Sequence, residues 1–253
     1  MIKKISIEDY KSIKMMELEL RDTNVLIRAN GSDKSNFISY LLLIHDLYEQ
    51  RLCNYTMHNN AEDLVNFGLK HTQEICSVIN CEESQYSFVL QPRVNGSMFV
   101  TEEQCKDLNG TIIFNHRNEE ESILADLKLT PNYRYIVIEE PEMGLHPNAM
   151  QTVLLQVIAL MNAGYKVIIS THSSLLLDFE WANTLLKKIR GNKYSEAMKE
   201  LFEDDQDRLY TGLKTKDIKT FYFSRNEKNN VKTRDISMGK PLSFLKNEYK
   251  RLS

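Results

Sequence analysis

Three apolar runs in this chain stop abruptly at polar clusters, and that pattern narrows its folds more than any other feature. Residues Asn24 to Ile27 run into RANGSDKSN, Tyr133 to Glu140 (YRYIVIEE) end in two carboxylates, and Tyr165 to Ser173 (YKVIISTHS) end in Thr171 and His172. Continuous runs of β-branched and aromatic residues read as strands buried on both faces, the state of a parallel sheet covered by helices. Helical stretches follow the first two runs: Phe37 to Leu47 (FISYLLLIHDL), and 147–163 (PNAMQTVLLQVIALMNA), which has Pro147 in its first turn and Gly164 just beyond its end. Strand, loop and helix in this succession predict an open α/β sheet. Its polar clusters then fall at the carboxyl ends of strands, where such sheets hold ligands.

The first cluster approximates G-x-x-x-x-G-K-[ST], a loop whose backbone N–H groups cradle phosphates while Lys and Ser reach phosphate oxygens and Mg²⁺. Lys34 and Ser35 are present, but Arg28 and Asp33 stand at the two glycine positions. Glycine at the first of these permits a tight turn with positive φ, and at the second a close backbone approach to phosphate. Asp33 sets a carboxylate beside a polyanion, and two unit charges about 4 Å apart repel by roughly 4 kcal/mol at an effective dielectric of 20. Mg²⁺, or Arg28 pairing with Asp33, would offset part of that. Taken alone, the loop also fits a turn in which Asp33 caps the following helix. At the second cluster, Glu139 could hold Mg²⁺ through water and Glu140 could polarise an attacking water. His172 at the third could bond a γ-phosphate or that water. Singly, these also fit a capped strand end and a hydrogen-bonded loop histidine.

With these segments in place, IKKISIEDYKSIKMMELEL followed by NVLI, ANGSxKSNFI, ADLKLTPNYRYIVIEEPE, IEEPEMGLHP and IISTHSSLLLDF give the chain its family likeness. It resembles the ABC-type ATPase superfamily, in its RecF-, SMC- and OLD-like branch, and especially small bacterial AAA-family ATPases with EEPE-x-GLHP motifs. The resemblance covers most of residues 1 to 180, is weak between Gln50 and Asn118, and is weaker still after Glu180. It implies a P-loop NTPase fold of ABC-head type: α/β, with a mostly parallel central sheet, helices and an N-terminal antiparallel β-layer. The core is expected at 1–180, with a β-lobe insertion about 54–110, and a C-terminal α/β extension at 181–253. ATP and Mg²⁺ are the implied cofactors. Asn30, Gly31, Ser32, Lys34, Ser35 and Asn36 would surround the phosphates, and Ser35 and Glu139 the metal. Glu140 takes the place of the catalytic carboxylate and His172 that of the switch histidine, while Gly144, Leu145 and His146 fall in a dimer-facing loop. Two heads sandwich ATP in this superfamily, so a homodimer or a heteromeric effector partner is expected, with DNA left open and a role in defence or repair.

The chain also departs from the family pattern. No Ser-Gly signature pair occurs in Asn115-His116-Arg117-Asn118-Glu119-Glu120-Glu121-Ser122-Ile123-Leu124, the stretch aligned with it; a second alignment on Leu108-Asn109-Gly110-Thr111 runs into strand-like TIIF. Glu119 to Glu121 would present negative charge to a partner's γ-phosphate. Together with Arg28 and Asp33, this implies weak hydrolysis or none, in a protein whose family likeness implies ATP-gated dimerisation that controls a partner effector or a DNA transaction. The alternative is a catalytically dead module that uses the same fold as an assembly surface.

Elsewhere, 72–80, 85–91 and 96–101 read as short strands, 54–68 as turn-prone and 118–128 as a helix. Gln73 reads as a solvated strand residue rather than a metal ligand. After Glu180, WANTLLKKIR and YSEAMKELFED read as helices, and IKTFYFSRNE and NVKTRDIS as strands. A net charge of -3 and a pI near 6.1 exclude a global nucleic-acid footprint. Cys53, Cys76, Cys81 and Cys105 read as structural thiols. The acidic group Glu203, Asp204, Asp205 and Asp207 lacks the strand-borne partners of a Toprim nuclease and reads as a solvated helix end. Lys187, Lys188, Arg190 and Lys193 read as surface charge. With no leader and no run long enough to span a bilayer, a cytoplasmic protein without membrane contact is expected.

Overall fold

The computed structural model describes residues 1–27, 33–124, 135–190, 193–203, 205–226 and 230–237, without the side chains of 147, 148, 189 and 190. In chain order the first strands and helices are β1 (Ile2–Tyr10), β2 (Ile13–Glu19), β3 (Thr23–Ile27), α1 (Asp33–Tyr48), α2 (Leu52–His58) and α3 (Ala61–Leu64). Strands β4 (Ile75–Cys81), β5 (Ser84–Pro92), β6 (Met98–Asp107) and β7 (Ile112–Glu119) follow. Then come β8 (Tyr135–Glu139), α4 (Pro147–Asn162), β9 (Lys166–Thr171), α5 (Leu175–Arg190), α6 (Tyr194–Phe202), α7 (Asp207–Leu213), β10 (Ile218–Arg225) and β11 (Val231–Asp235). The chain divides into two compact units, one of 1–20, 30–133 and 224–233, the other of 21–29, 134–223 and 234–253.

The first unit holds a six-stranded sheet in the order β2-β1-β4-β5-β6-β7, antiparallel throughout. Its strands alternate buried and partly exposed residues, as expected when one face packs on a core and the other meets water. Along β4 the buried positions are Ile75, Ser77 and Ile79; along β5 they are Tyr86, Phe88 and Leu90. A bulge between Val89 and Leu90 leaves Thr101 of β6 without an opposite residue. Because side chains alternate strictly, one extra residue moves the inward phase. Met98 and Val100 point inward before the bulge, Glu103 and Cys105 after it, and so a carboxylate enters the core. It is satisfied there by Tyr86 Oη at 2.7 Å, Ser122 Oγ at 2.5 Å and the Ile123 N–H at 3.1 Å. Helix α1 buries the stripe Phe37, Tyr40, Leu43 and Leu47, spaced to lie along one helical face.

In the second unit the sheet order is β11-β10-β3-β9-β8, with β10, β3, β9 and β8 parallel. β3 and β9 are buried almost continuously, the pattern of strands covered on both faces. Their core includes Val25, Val167 and Ile169 from the strands, Leu154, Val157, Ile158 and Met161 from α4, and Phe179, Met198, Phe202 and Tyr210 from α5 to α7. Burying one such side chain contributes about 1.5–3 kcal/mol. At the amino ends of these strands Asp22 binds Lys166 and accepts the Asp217 N–H at 2.8 Å, which joins the starts of β3, β9 and β10.

The observed fold is the expected mixed α/β arrangement, with three sequence-based details corrected. Residues 54–68 hold most of helix α2 and all of α3, which gain stability by tertiary packing rather than local propensity. The helix expected at 118–128 is absent over 118–124, because β7 continues to Glu119 in register with β6 and bends follow; 125–128 lie outside the described residues. Strand β8 is not buried on both faces: among the described residues it is the sheet's edge, and Val137 is 37% exposed. Among the described residues, no helix is long and apolar enough to cross a membrane.

Candidate functional site

Asp33, the first residue of α1, is fully buried and already neutralised. Arg225, the last residue of β10, donates from Nη2 to Oδ1 at 2.5 Å and from Nε to Oδ2 at 3.1 Å. Ser12, in the turn between β1 and β2, donates from Oγ to Oδ1 at 2.6 Å, and its carbonyl accepts Arg225 Nη2 at 3.1 Å. A paired fork of this kind is the strongest form of charge-assisted hydrogen bond. The counter-charge observed for Asp33 is therefore Arg225; Arg28, the expected one, lies outside the described residues with Asn30, Gly31 and Ser32. Helical backbone at Asp33 also means that this loop position needs no glycine for conformational reasons. Lys34 is buried, Ser35 is exposed, and Asn36 donates from Nδ2 to Ser12 Oγ at 2.7 Å.

In the second unit, parallel pairing sets Glu139 of β8 opposite Ser170 of β9, so the two polar strand ends are neighbours. Glu140 follows with φ of 45°, a left-handed conformation that is costly for a side-chain-bearing residue and concentrates at functional sites. Its N–H donates to the Ser170 carbonyl at 2.8 Å, its carbonyl accepts the Met143 N–H at 3.0 Å, and its Oε1 lies 3.0 Å from His172 Nε2. The sequence-expected base and histidine are thus in direct contact. Beside them is a carboxylate that the sequence reading did not single out. Glu142 Oε1 accepts Thr171 Oγ1 at 2.8 Å, the His172 N–H at 2.6 Å and the Ser173 N–H at 3.2 Å. Burial acts to raise its pKa, but these hydrogen bonds outweigh burial and hold the carboxyl below its usual range. Glu139, Gly144, Leu145 and His146 are exposed, with Gly144 at φ 75° in the loop before α4.

The Ser35 hydroxyl and the Glu139 carboxylate are the oxygen donors that suit a hard cation. Among the described residues no group of three or more His, Cys, Asp or Glu could hold a metal unaided. The acidic group after α6 has other employment: Glu203 is a left-handed helix cap and Asp207 pairs with Lys199, while Asp204 is outside the described residues. Within Glu119 to Glu121, Glu119 and Glu120 are exposed and part of the charge is engaged. Glu121 accepts the Leu52 and Cys53 N–H groups at the start of α2, and Glu120 pairs with Arg93. Asn115 to Glu119 form the end of β7, because their backbone pairs with β6.

Arg225 and Glu142 were missed for different reasons. No local pattern ties Arg225 to a residue 192 positions away. Glu142 had a signal, its place in EEPE directly after the two strand-end carboxylates.

Known proteins are similar to parts of this chain. The family described as "AAA domain, putative AbiEii toxin, Type IV TA system" matches residues 122–178. The Old nuclease of Escherichia phage P2 is 30% identical over 96 residues, which are 35% of this chain and 16% of that protein. An SMC head, solved bound to the C-terminal winged-helix domain of ScpA, shares the fold with a TM-score of 0.51 and 11% identity, over 96% of this chain and 99% of that one. A RecF structure with ATP aligns with 80% of this chain and 48% of that one at 18% identity, but at a TM-score of 0.33 it adds no fold argument. The chain thus spans about a sixth of the length of the Old nuclease it matches, and its strand-end motifs and matched segment make it similar to the ABC-type ATPase superfamily, in its RecF/SMC/OLD-like branch, on a fold shared with an SMC head.

Proposed function

We propose that this chain binds ATP with Mg²⁺, that nucleotide governs its pairing with a second copy or a protein effector, and that hydrolysis is slow. The observation that carries this is the Glu140–His172 contact at adjoining strand ends, with His172 held by Glu142. Glu140 acts as general base on water and His172 senses the γ-phosphate. Lys34, with Asn30, Gly31, Ser32 and Asn36, binds phosphates; Ser35 and Glu139 bind the metal. The exposed Met143 and Leu145 suit a loop that meets another protein. The similar SMC head was solved with a protein partner, a ScpA domain. Slow turnover follows from a signature stretch without Ser-Gly.

Titration with ATP and Mg²⁺ beside a phosphate-release assay tests this. Glu140→Gln should retain nucleotide, lose residual turnover and shift the protein to an ATP-dependent dimer by light scattering. No heat at millimolar nucleotide would instead favour a non-catalytic assembly module, a second reading supported by the burial of Asp33 and Lys34. Adding duplex DNA to the same titration tests DNA as a partner.

A further inference from the structure

A carboxylate at the sixth position of a phosphate loop is a liability only while its charge is unbalanced. Asp33, Ser12, Asn36 and Arg225 lie in one compact unit and form one hydrogen-bonded cluster. The Asp33 side chain is wholly inaccessible, whereas that of Arg225 is 25% exposed. Water therefore does not screen the carboxylate, and the guanidinium beside it does. Both carboxylate oxygens are engaged by the fork, so the pair presents a dipole rather than a full negative charge to any anion nearby. The Ser12 carbonyl, which also accepts from Arg225, fixes the guanidinium on the side of the β1–β2 turn.

We propose that Arg225 is a positioning residue of the nucleotide site: it supplies the counter-charge that lets Asp33 stand where the phosphate-loop pattern has glycine. Asp33 and Arg225 then act as one unit, and the end of β10 becomes a condition for phosphate binding at α1. This rests on the proposed binding of nucleotide. It has a consequence that a purely structural ion pair lacks. Breaking the pair from the arginine side uncovers negative charge beside the phosphates, whereas removing both charges does not.

A double-mutant cycle reads the difference, with ATP and Mg²⁺ as the titrant and thermal unfolding without nucleotide as the control for folding. Arg225→Met should weaken ATP binding by roughly ten- to a hundredfold. Asp33→Asn/Arg225→Met should return to within about threefold of the parent. Arg225→Lys, which keeps the charge and loses the fork, should fall between them. If Arg225→Met does not fold, Arg225→Lys and the double variant carry the comparison. Equal ATP affinity in the parent, Arg225→Met (or Arg225→Lys) and the double variant overturns the proposal and leaves nucleotide binding standing. A parent that binds no ATP while Asp33→Gly does also overturns it, since Asp33 would then block the loop despite Arg225. If no variant, Asp33→Gly included, binds ATP, the proposed function itself fails and this inference falls with it.

Discussion

Glu142 shows how much one side chain can organise. A single oxygen accepts from Thr171, His172 and Ser173, so the backbone after β9 is shaped by a carboxylate from the neighbouring strand's loop. Glu142→Ala leaves these donors without their acceptor and should destabilise the protein by about 1–2 kcal/mol in urea unfolding, as partly exposed donors recover some bonds to water. Glu142→Gln keeps an acceptor in place and should recover most of that. A second residue-scale constraint is Gly212. A Cβ there would lie 2.3 Å from Asn162 Oδ1, and Asn162 cannot swing aside freely because its Nδ2 donates to the Leu209 carbonyl at 2.7 Å. Gly212→Ala should cost about 1–2 kcal/mol by forcing that bond apart. Adding Asn162→Ala should remove most of the penalty in the same denaturation measurement, and an unchanged penalty would place the strain elsewhere.

Elements differ in how openly their sequences announce them. β3 and β9 are legible because burial on both faces leaves an unbroken apolar run, and β4 to β6 because half-burial leaves an alternating one. β7 is less legible: IIFNHRNE is largely exposed and exists because its backbone pairs with β6, a contact that composition does not encode. Its extension to Glu119 displaces the helix that EEESIL suggests. The segment just beyond is fixed instead by two carboxylates, Glu121 at the start of α2 and Glu103 inside the sheet. α2 and α3 are too short to hold by propensity and form where packing allows.

For the molecule as a whole, depressed carboxylates tie the second unit's stability to pH. Burial would raise the pKa of Asp22, but the Asp217 N–H and Lys166 more than compensate and lower it. Burial would also raise Asp235, and Ser237 with Lys219 lowers it; Glu142 behaves in the same way. A carboxyl whose folded pKa lies below its unfolded value stabilises fully above the unfolded value, near pH 4, and loses that contribution as pH falls through the folded one. Thermal stability should therefore decline as pH falls below about 4. Asp22→Asn should start lower at neutral pH and show a flatter decline on acidification; an unaltered slope would discount the Asp22 contribution. What the sequence determined by itself was the run of strand-end clusters, the alternating layer and the helices with marked ends, because each is a local pattern of period or terminal chemistry. The partner of Asp33, the clamp on the His172 loop and the burial of Glu103 were decided only by tertiary structure. Those contacts join residues 192, 30 and 20 positions apart, and which charge answers which depends on how the strands are brought together.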